Sequence, residues 1–80
     1  MNIILPNIGE TVEEGKVIKW LKQVGDQVAD GDVVCEVETD KSTMEIPSTV
    51  DGILKEIKVK EGETVPVGTV LGIIEWYLNY

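Results

Sequence analysis

The sequence of 80 residues has no histidine, no arginine and no phenylalanine, and it has only one cysteine. Without histidine, no imidazole base can activate Cys35 or a serine, so the usual serine and cysteine nucleophile arrangements cannot be built. The same absences exclude zinc sites of the His/Cys type. A lone cysteine cannot form an internal disulfide, which favours a reducing compartment. We therefore expect neither a catalytic site nor a metal site within this chain.

Positive charge is also scarce, since 15 acidic residues outweigh seven lysines and the formal net charge is −8 at pH 7. Such a chain repels a phosphate backbone, and no basic stretch stands out, so nucleic acid is not an expected partner. The sequence lacks a run of about 18 apolar residues that could span a membrane. Its first residues lack the basic and apolar regions of an export signal. We expect a soluble chain with no targeting segment.

Apolar residues occur in short runs rich in β-branched side chains, which are typical of strands. Turn signals that contain glycine separate the runs and leave no room for a helix of ordinary length. The pattern predicts an all-β domain with strands at 2–5, 16–22, 33–38, 43–46, 53–60 and 70–75. Alternation is imperfect in the second of these strands. This indicates either a bulge or a strand that is covered on both faces.

An internal repeat relates the two halves of the chain. A shift of 37 residues superposes Gly15 on Gly52, Gly25 on Gly62 and Gly31 on Gly68. The matched positions are turns and expected core residues, so we predict two copies of one β unit, related by a pseudo-two-fold axis. Two such units would pack as a sandwich or flattened barrel. The expected core residues are Trp20, Val28, Val33, Val37, Ile57, Val65, Val70 and Ile74, with Cys35 as a small buried hydrophobe.

Segments that the repeat leaves unmatched are the expected place of function. Nine positions separate Pro6 from Gly15, but only five separate Pro47 from the glycine that follows it. This difference predicts an insertion of four residues within 7–14 of the first copy.

The second unmatched segment follows Glu38. There the first copy continues into another strand, whereas the second copy reaches the terminal residues 76–80. Residues 39–42 separate two predicted strands, which makes Asp40 and Lys41 the tip of a β-hairpin, and aspartate is a favoured turn residue. A lysine in such a turn is usually only a solvated charge. The residues on either side of Lys41 indicate a more specific role for this lysine.

The hairpin segment resembles the lipoyl-attachment motif of lipoyl domains. The matching residues are Glu38-Thr39-Asp40-Lys41-Ser42 followed by Thr43-Met44-Glu45-Ile46-Pro47-Ser48. Leu5-Pro6-Asn7-Ile8-Gly9-Glu10 is similar to the opening strand and loop of the family, and 19–26 and 52–75 are similar to later parts. Many lipoyl domains have alanine where Ser42 stands, and both residues are small. The resemblance implies a lipoyl domain at 1–75, with 76–80 as a tail or domain boundary.

Lipoyl domains belong to the acyltransferase components of 2-oxo acid dehydrogenase complexes, and their fold is a flattened β-barrel, or barrel-sandwich hybrid, of two four-stranded antiparallel sheets. The resemblance implies that Lys41 carries (R)-lipoate in amide linkage, as a swinging arm on a domain that is not itself an enzyme. The implied partners are a thiamine-diphosphate-dependent 2-oxo acid dehydrogenase, an acyltransferase catalytic domain, dihydrolipoyl dehydrogenase, and a lipoyl-protein ligase or lipoyl transferase. Pyruvate is the favoured substrate of the complex, in the bacterial cytoplasm or the mitochondrial matrix.

The resemblance also implies roles for residues near Lys41. Thr39, Asp40 and Ser42 would help the modifying enzyme to recognise the turn, although Asp40 is equally well explained as a turn former. In the family, the loop within 7–14 lies beside the lysine and takes part in partner recognition. The residues expected to form this acidic recognition face are Gly9, Glu10, Glu13, Glu14 and Glu38. An ordinary solvated loop is the alternative.

Three other interpretations remain open. A biotinyl carrier domain shares the fold, but its usual signature has methionine on both sides of the lysine, where this chain has Asp40 and Ser42. The lipoylated carrier of glycine cleavage is longer and has helical elements for which this chain has no room. A β module that docks partners and is never modified belongs to a different functional class.

Overall fold

The computed structural model describes residues 1–7 and 12–76, except for the side chain of Trp76. These residues form eight strands and no helix. The strands are β1 (Asn2–Ile4), β2 (Glu14–Trp20), β3 (Gln27–Val28), β4 (Val33–Glu38), β5 (Thr43–Pro47), β6 (Gly52–Ile57), β7 (Thr64–Pro66) and β8 (Val70–Trp76). In this described part of the chain, no helix suited to crossing a membrane is found.

The strands form two four-stranded sheets, in the order β1-β8-β6-β3 and β5-β4-β2-β7. Every pair of neighbours is antiparallel. One cluster of buried apolar side chains draws on strands of both sheets. The predicted fold, a flattened barrel-sandwich of two four-stranded antiparallel sheets, is therefore confirmed.

The predicted pseudo-two-fold symmetry appears in the strand register. Lys16 of β2 faces Glu38 of β4. Thirty-seven residues further on, Ile53 of β6 faces Glu75 of β8. A β-bulge follows Val17 in β2, and the same irregularity recurs at the equivalent position of β6. The bulge explains the imperfect alternation of β2, because an extra residue shifts the later side chains to the other face.

The sequence pattern misses two strands, β3 and β7, which have only two and three residues. They are too short for alternation to be visible, and pairing with β6 and β2 defines them. Each lies at an edge of its sheet, in equivalent places of the two copies. The predicted strand at 53–60 is also shorter than expected, because β6 ends at Ile57.

Six of the eight residues expected in the core belong to it. Val28, Val37 and Ile74 are buried, while Trp20, Ile57 and Val65 are partly exposed and pack against the buried cluster. The expectation is wrong for Val33 and Val70, which are only half-buried. A bulge in the pairing of β4 with β5 follows Val33, so Val34 turns inward beside Cys35, and Leu71 is likewise buried next to Val70. Burial raises the pKa of the Cys35 thiol to about 12, consistent with a packing role.

The segment that leads into β2 is longer than expected. Ile4 of β1 faces Val70, and Pro47 of β5 faces the equivalent Val33, so Ile4 corresponds to Pro47, 43 positions later. The next strands, β2 and β6, correspond at a shift of 37 residues. The first copy therefore contains six extra residues, and the predicted insertion of four is wrong. The prediction aligned Pro6 with Pro47, but the structural counterpart of Pro47 is Ile4, so the two prolines do not mark equivalent positions.

β1 and β8 bring the first and last described strands side by side. Asn2 faces Ile73 across this pair, and the amino group of Met1 donates a hydrogen bond to the carbonyl oxygen of Ile74. The hairpin of β4 and β5 belongs to the other sheet. Lys41 is thus carried by the sheet that contains neither β1 nor β8.

Candidate functional site

The predicted hairpin around Lys41 is present. β4 pairs with β5 as far as Glu38, which faces Thr43, and residues 39–42 form the tip. Lys41 and both of its neighbours are exposed. Because paired strands hold the base of the tip while the lysine side chain stands in solvent, the backbone is fixed and the amine is accessible.

The side chain of Thr39 closes the tip through three hydrogen bonds. Its hydroxyl oxygen accepts from the backbone amides of Lys41 at 3.2 Å and Ser42 at 3.1 Å, and the hydroxyl donates to the carbonyl oxygen of Ser42 at 2.9 Å. The backbone amide of Thr39 donates to the same carbonyl at 2.8 Å. A hydroxyl has one hydrogen to donate and two lone pairs to accept with. The hydrogen-bonding capacity of this side chain is therefore filled within the tip.

The tip differs from the glycine turns elsewhere in the chain. Gly25 and Gly62, for example, have φ angles of 98° and 92°, which glycine adopts without a steric penalty. Among the described residues, only glycines have positive φ, so the tip residues all have negative φ. The favoured two-residue hairpin turns need positive φ. This tip has another conformation, which is closed by the side chain of Thr39 together with one backbone hydrogen bond between Thr39 and Ser42.

An acidic groove of about 410 Å³ lies beside the tip. It is lined by Glu13, Glu14, Gly15, Lys16, Glu38, Thr39, Asp40 and Thr64. Four carboxylates and one ammonium group face this space, so it attracts positive charge. The groove joins the start of β2, the end of β4 and the edge strand β7.

Gly15 allows β2 and β4 to approach each other at the groove. A β-carbon at this position would lie 2.5 Å from Cγ1 of Val37 and 3.3 Å from Cδ2 of Leu5. Both of these side chains are fully or almost fully buried, so neither can move freely away. Any larger residue at Gly15 would press on the strand that leads to the hairpin tip.

The groove brings together most of the residues that the sequence singles out. Glu13, Glu14 and Glu38 from the expected recognition face line it, and so do Thr39 and Asp40. Gly9 and Glu10 lie outside the described residues. Ser42 is exposed at the tip but does not line the groove.

Three groove residues are missed by sequence reasoning. Lys16 and Gly15 lie in the first copy, and the repeat marks Gly15 as a structural position without indicating a groove. Thr64 comes from the second copy and reaches the site only because β7 pairs with β2, where Thr64 faces Lys16. No local signal in the sequence points to that pairing.

The described residues offer Lys41 as a reactive group but no metal site. No group of three or more His, Cys, Asp or Glu side chains within 1–7 and 12–76 could hold a metal ion. The Lys41 ammonium forms no ion pair with any residue that the structure describes. A free primary amine on a fixed turn is suited to covalent attachment of a carboxylic acid through an amide bond.

Comparisons with known proteins agree with this geometry. The model of a biotinyl and lipoyl family, described as "Biotin-requiring enzyme", matches residues 1–74. Over 67 residues, or 84% of this chain, the sequence is 46% identical to the dihydrolipoyllysine-residue acetyltransferase component of the pyruvate dehydrogenase complex of Staphylococcus aureus. The chain spans 16% of that relative's length.

Two solved structures that match this fold come from different kinds of protein. The lipoyl domain of the 2-oxoglutarate dehydrogenase complex of Azotobacter vinelandii matches with a TM-score of 0.77 and 35% identity, over 94% of this chain and 95% of that one. The urea carboxylase of Kluyveromyces lactis matches with a TM-score of 0.72 and 30% identity, over 88% of this chain and 6% of the carboxylase.

Proposed function

The chain belongs to the family of biotinyl and lipoyl domains, and from this premise we propose that it is a lipoyl carrier whose Lys41 bears lipoate in amide linkage. The observation that carries the proposal is the position of Lys41, exposed at the tip of a hairpin whose base is fixed by paired strands. Lipoate fits this site, because its carboxyl group needs one accessible amine and its ring then extends into solvent.

Lipoate is favoured over biotin by the residues next to the lysine and by the relatives. Asp40 and Ser42 flank Lys41, whereas the usual biotinyl signature has methionine at both positions. The relative that is 46% identical is named a dihydrolipoyllysine-residue acetyltransferase component, and a matching solved structure is named a lipoyl domain. The description of the matching family model, "Biotin-requiring enzyme", keeps biotin as the alternative that an experiment must exclude.

In this function the chain's own residues present an arm and do no chemistry themselves. The dithiolane of bound lipoate supplies the redox and acyl-transfer chemistry. β4 and β5 hold the attachment point, and the exposed tip leaves the modified side chain free to reach other active sites. Tethering of this kind raises the effective concentration of the carried group at each partner.

The partners we propose are those of a 2-oxo acid dehydrogenase complex: a thiamine-diphosphate-dependent dehydrogenase, an acyltransferase catalytic domain, dihydrolipoyl dehydrogenase, and a lipoyl-protein ligase or lipoyl transferase. Pyruvate is the proposed substrate of the complex, supported by the name of the 46% identical relative. We propose that the dehydrogenase recognises the acidic groove, together with Gly9 and Glu10, which precede β2 in the sequence.

Modification of Lys41 is tested by intact mass. The chain is coexpressed with a lipoyl-protein ligase and lipoate, and in parallel with a biotin-protein ligase and biotin. We expect the wild-type chain to gain the mass of one lipoyl group. Lys41→Arg keeps the charge but offers no suitable amine, so it should gain none.

Lys60→Arg is the matched control, because Lys60 is also an exposed lysine and stands at the start of a turn, where its carbonyl oxygen accepts from the amide of Glu63. It should be lipoylated like the wild type. Modification by biotin alone would favour the biotinyl alternative. A wild-type chain that stays unmodified in both coexpressions would favour a β module that only docks partners.

A further inference from the structure

Thr39 has a different relation to Lys41 from the other residues of the tip. Its hydroxyl makes three hydrogen bonds to the backbone of Lys41 and Ser42, at 2.9 to 3.2 Å. Within the described chain, the side chains of Asp40 and Ser42 make no hydrogen bond or ion pair. An enzyme that approaches the tip can therefore bind the free groups of Asp40 and Ser42, whereas the hydroxyl of Thr39 has no site left for it.

We propose that Thr39 is a positioning residue, whose side chain holds the tip in the conformation from which the lipoyl-attaching enzyme takes Lys41. This inference rests on the proposed function, and it changes the role of Thr39 from direct recognition to clamping. Asp40 and Ser42 remain the tip residues that can contact the enzyme directly.

The clamp matters because, in the part of the chain that the structure describes, the middle of the tip is ordered only by the Thr39 hydroxyl and by the backbone hydrogen bond from the Thr39 amide to the Ser42 carbonyl oxygen. The last strand pair is Glu38 with Thr43, so residues 39–42 are outside the ladder. Lys41 and its neighbours are exposed and are not packed against the core. Fixing the backbone of each tip residue costs conformational entropy, and the three hydrogen bonds of the Thr39 hydroxyl offset most of this cost, together with the one backbone hydrogen bond from Thr39 to Ser42.

Removal of the hydroxyl should lower the population of the competent tip without unfolding the sheet. The amides of Lys41 and Ser42 belong to exposed residues and would be solvated by water. The Thr39 hydroxyl takes no part in the pairing of β4 with β5 or in the buried cluster. When only a fraction of a protein is competent to bind, its apparent affinity falls by that fraction, while the bound complex reacts normally.

The test uses the full chain with three substitutions. Thr39→Val keeps the shape and removes the hydroxyl, and Thr39→Ser keeps the hydroxyl and removes a methyl group. Thr43→Val is the matched control, since Thr43 lies two residues after Lys41 and is exposed on β5. Kinetics of lipoylation by a lipoyl-protein ligase are measured together with amide hydrogen exchange across the chain.

We expect Thr39→Val to raise the KM for the domain about tenfold with kcat unchanged, which corresponds to a competent fraction of about one tenth. The amides of Lys41 and Ser42 should exchange about tenfold faster, while those of β4 and β5 keep their protection. Thr39→Ser and Thr43→Val should behave like the wild type in both measurements.

The clamp would be overturned if Thr39→Val kept the wild-type KM, or if Thr39→Ser lost as much activity as Thr39→Val. Neither result would contradict lipoylation of Lys41. An increase in KM together with general loss of protection in β4 and β5 would also overturn the clamp, because the residue would then act through stability. A wild-type chain that the ligase does not modify would remove the proposed function itself, so the two failures are distinguishable.

Discussion

At the scale of single residues, Ser48 illustrates how the two copies diverge at the segments that lead into β2 and β6, which differ in length. It corresponds to Leu5, because the carbonyl oxygens of Leu5 and Ser48 accept from the amides of the equivalent residues Gly68 and Gly31. Both side chains are almost completely buried. The Ser48 hydroxyl donates to the carbonyl oxygen of Val50 at 2.6 Å and accepts from its amide at 3.2 Å. A hydroxyl suits this position, since the segment between β5 and β6 is short and the chain must turn directly after Ser48.

Asp32 is the carboxylate on which a pH dependence of stability is expected. A hydrogen bond from the backbone amide of Ala29, at 3.0 Å, and the Lys22 ammonium at 3.5 Å hold the pKa of the Asp32 carboxyl below its ordinary value of 3.8. A lowered folded pKa means that the carboxylate stabilises the fold above the unfolded pKa. That contribution is lost as the pH falls through the folded pKa.

We therefore expect Asp32→Asn to lower the Tm at pH 7, and we expect this difference to shrink as the pH falls through the lowered pKa of the Asp32 carboxyl, because the wild-type group is then protonated. Thermal unfolding followed by circular dichroism over a pH series measures this difference. Asp30→Asn is the control, because Asp30 is a neighbouring exposed acid whose side chain binds no group in the described chain. A Tm difference that stays the same across the acid range of the pH series would contradict the expectation.

At the scale of elements, the approach of β2 to β4 depends on Gly15. A β-carbon there would overlap Cγ1 of Val37, which is fully buried. The equivalent Gly52 is more restricted, because its β-carbon would overlap the backbone carbonyl oxygen of Glu75. A side chain can repack, whereas a paired strand cannot, so the two equivalent glycines should tolerate alanine differently.

Gly15→Ala should destabilise the domain by about 1–3 kcal/mol, the usual cost of overpacking a core. Gly52→Ala should cost at least as much. In the double variant Gly15→Ala/Val37→Ala the clash is removed, so the loss should be smaller than the sum of the two single losses. Urea unfolding measures all of these free energies.

Lys16→Ala is the control, since Lys16 is an exposed strand residue next to Gly15. Its effect should stay within about 0.5 kcal/mol. Strict additivity of the Gly15 and Val37 substitutions would show that no clash couples them.

The elements also show what a sequence can and cannot predict about this fold. Glycines repeat at fixed positions because turns and close strand contacts need them, so the two copies, the main strands and the Lys41 hairpin are predictable. Whether Val33 or Val34 faces inward depends on a bulge, and a bulge depends on the pairing partner. The Thr39 clamp depends on the conformation of the turn, and Thr64 reaches the groove through a distant pairing. These features arise only when separate segments meet.

At the scale of the whole molecule, the acidic groove is a local concentration of a general excess of negative charge. The chain carries a net charge of −8, and Glu13, Glu14, Glu38 and Asp40 lie around one space beside Lys41. A partner with a basic surface would be attracted to that side of the molecule first. Attachment of lipoate to Lys41 would remove one positive charge and strengthen the attraction.

We expect the combined substitution Glu13→Gln/Glu14→Gln/Glu38→Gln to slow reductive acylation of the lipoylated domain by the proposed dehydrogenase partner about tenfold at low salt, by loss of steering. The difference should shrink as salt screens exposed charges. Stopped-flow or radiolabel assays with the purified dehydrogenase measure the rate. Lipoylation itself should proceed normally, because the tip is unchanged.

A variant with the same change of net charge but an intact groove provides the control. Asp30→Asn/Glu56→Gln/Glu75→Gln removes three exposed carboxylates that do not line the groove. It should be acylated at nearly the wild-type rate. Equal slowing in both triple variants would mean that total charge, rather than the groove, determines the rate.

The adjacency of β1 and β8 gives the domain the geometry of an insertable cassette. Asn2 faces Ile73, so the strands that begin and finish the described chain run antiparallel at a distance of about 5 Å. A host protein cut at a surface loop could receive the domain without its two cut ends being forced apart. Lys41 lies on a hairpin of the other sheet, so the strands joined to the host would not include those that carry the lysine. The same adjacency makes the fold a candidate for circular permutation, with the new ends placed in an exposed glycine turn.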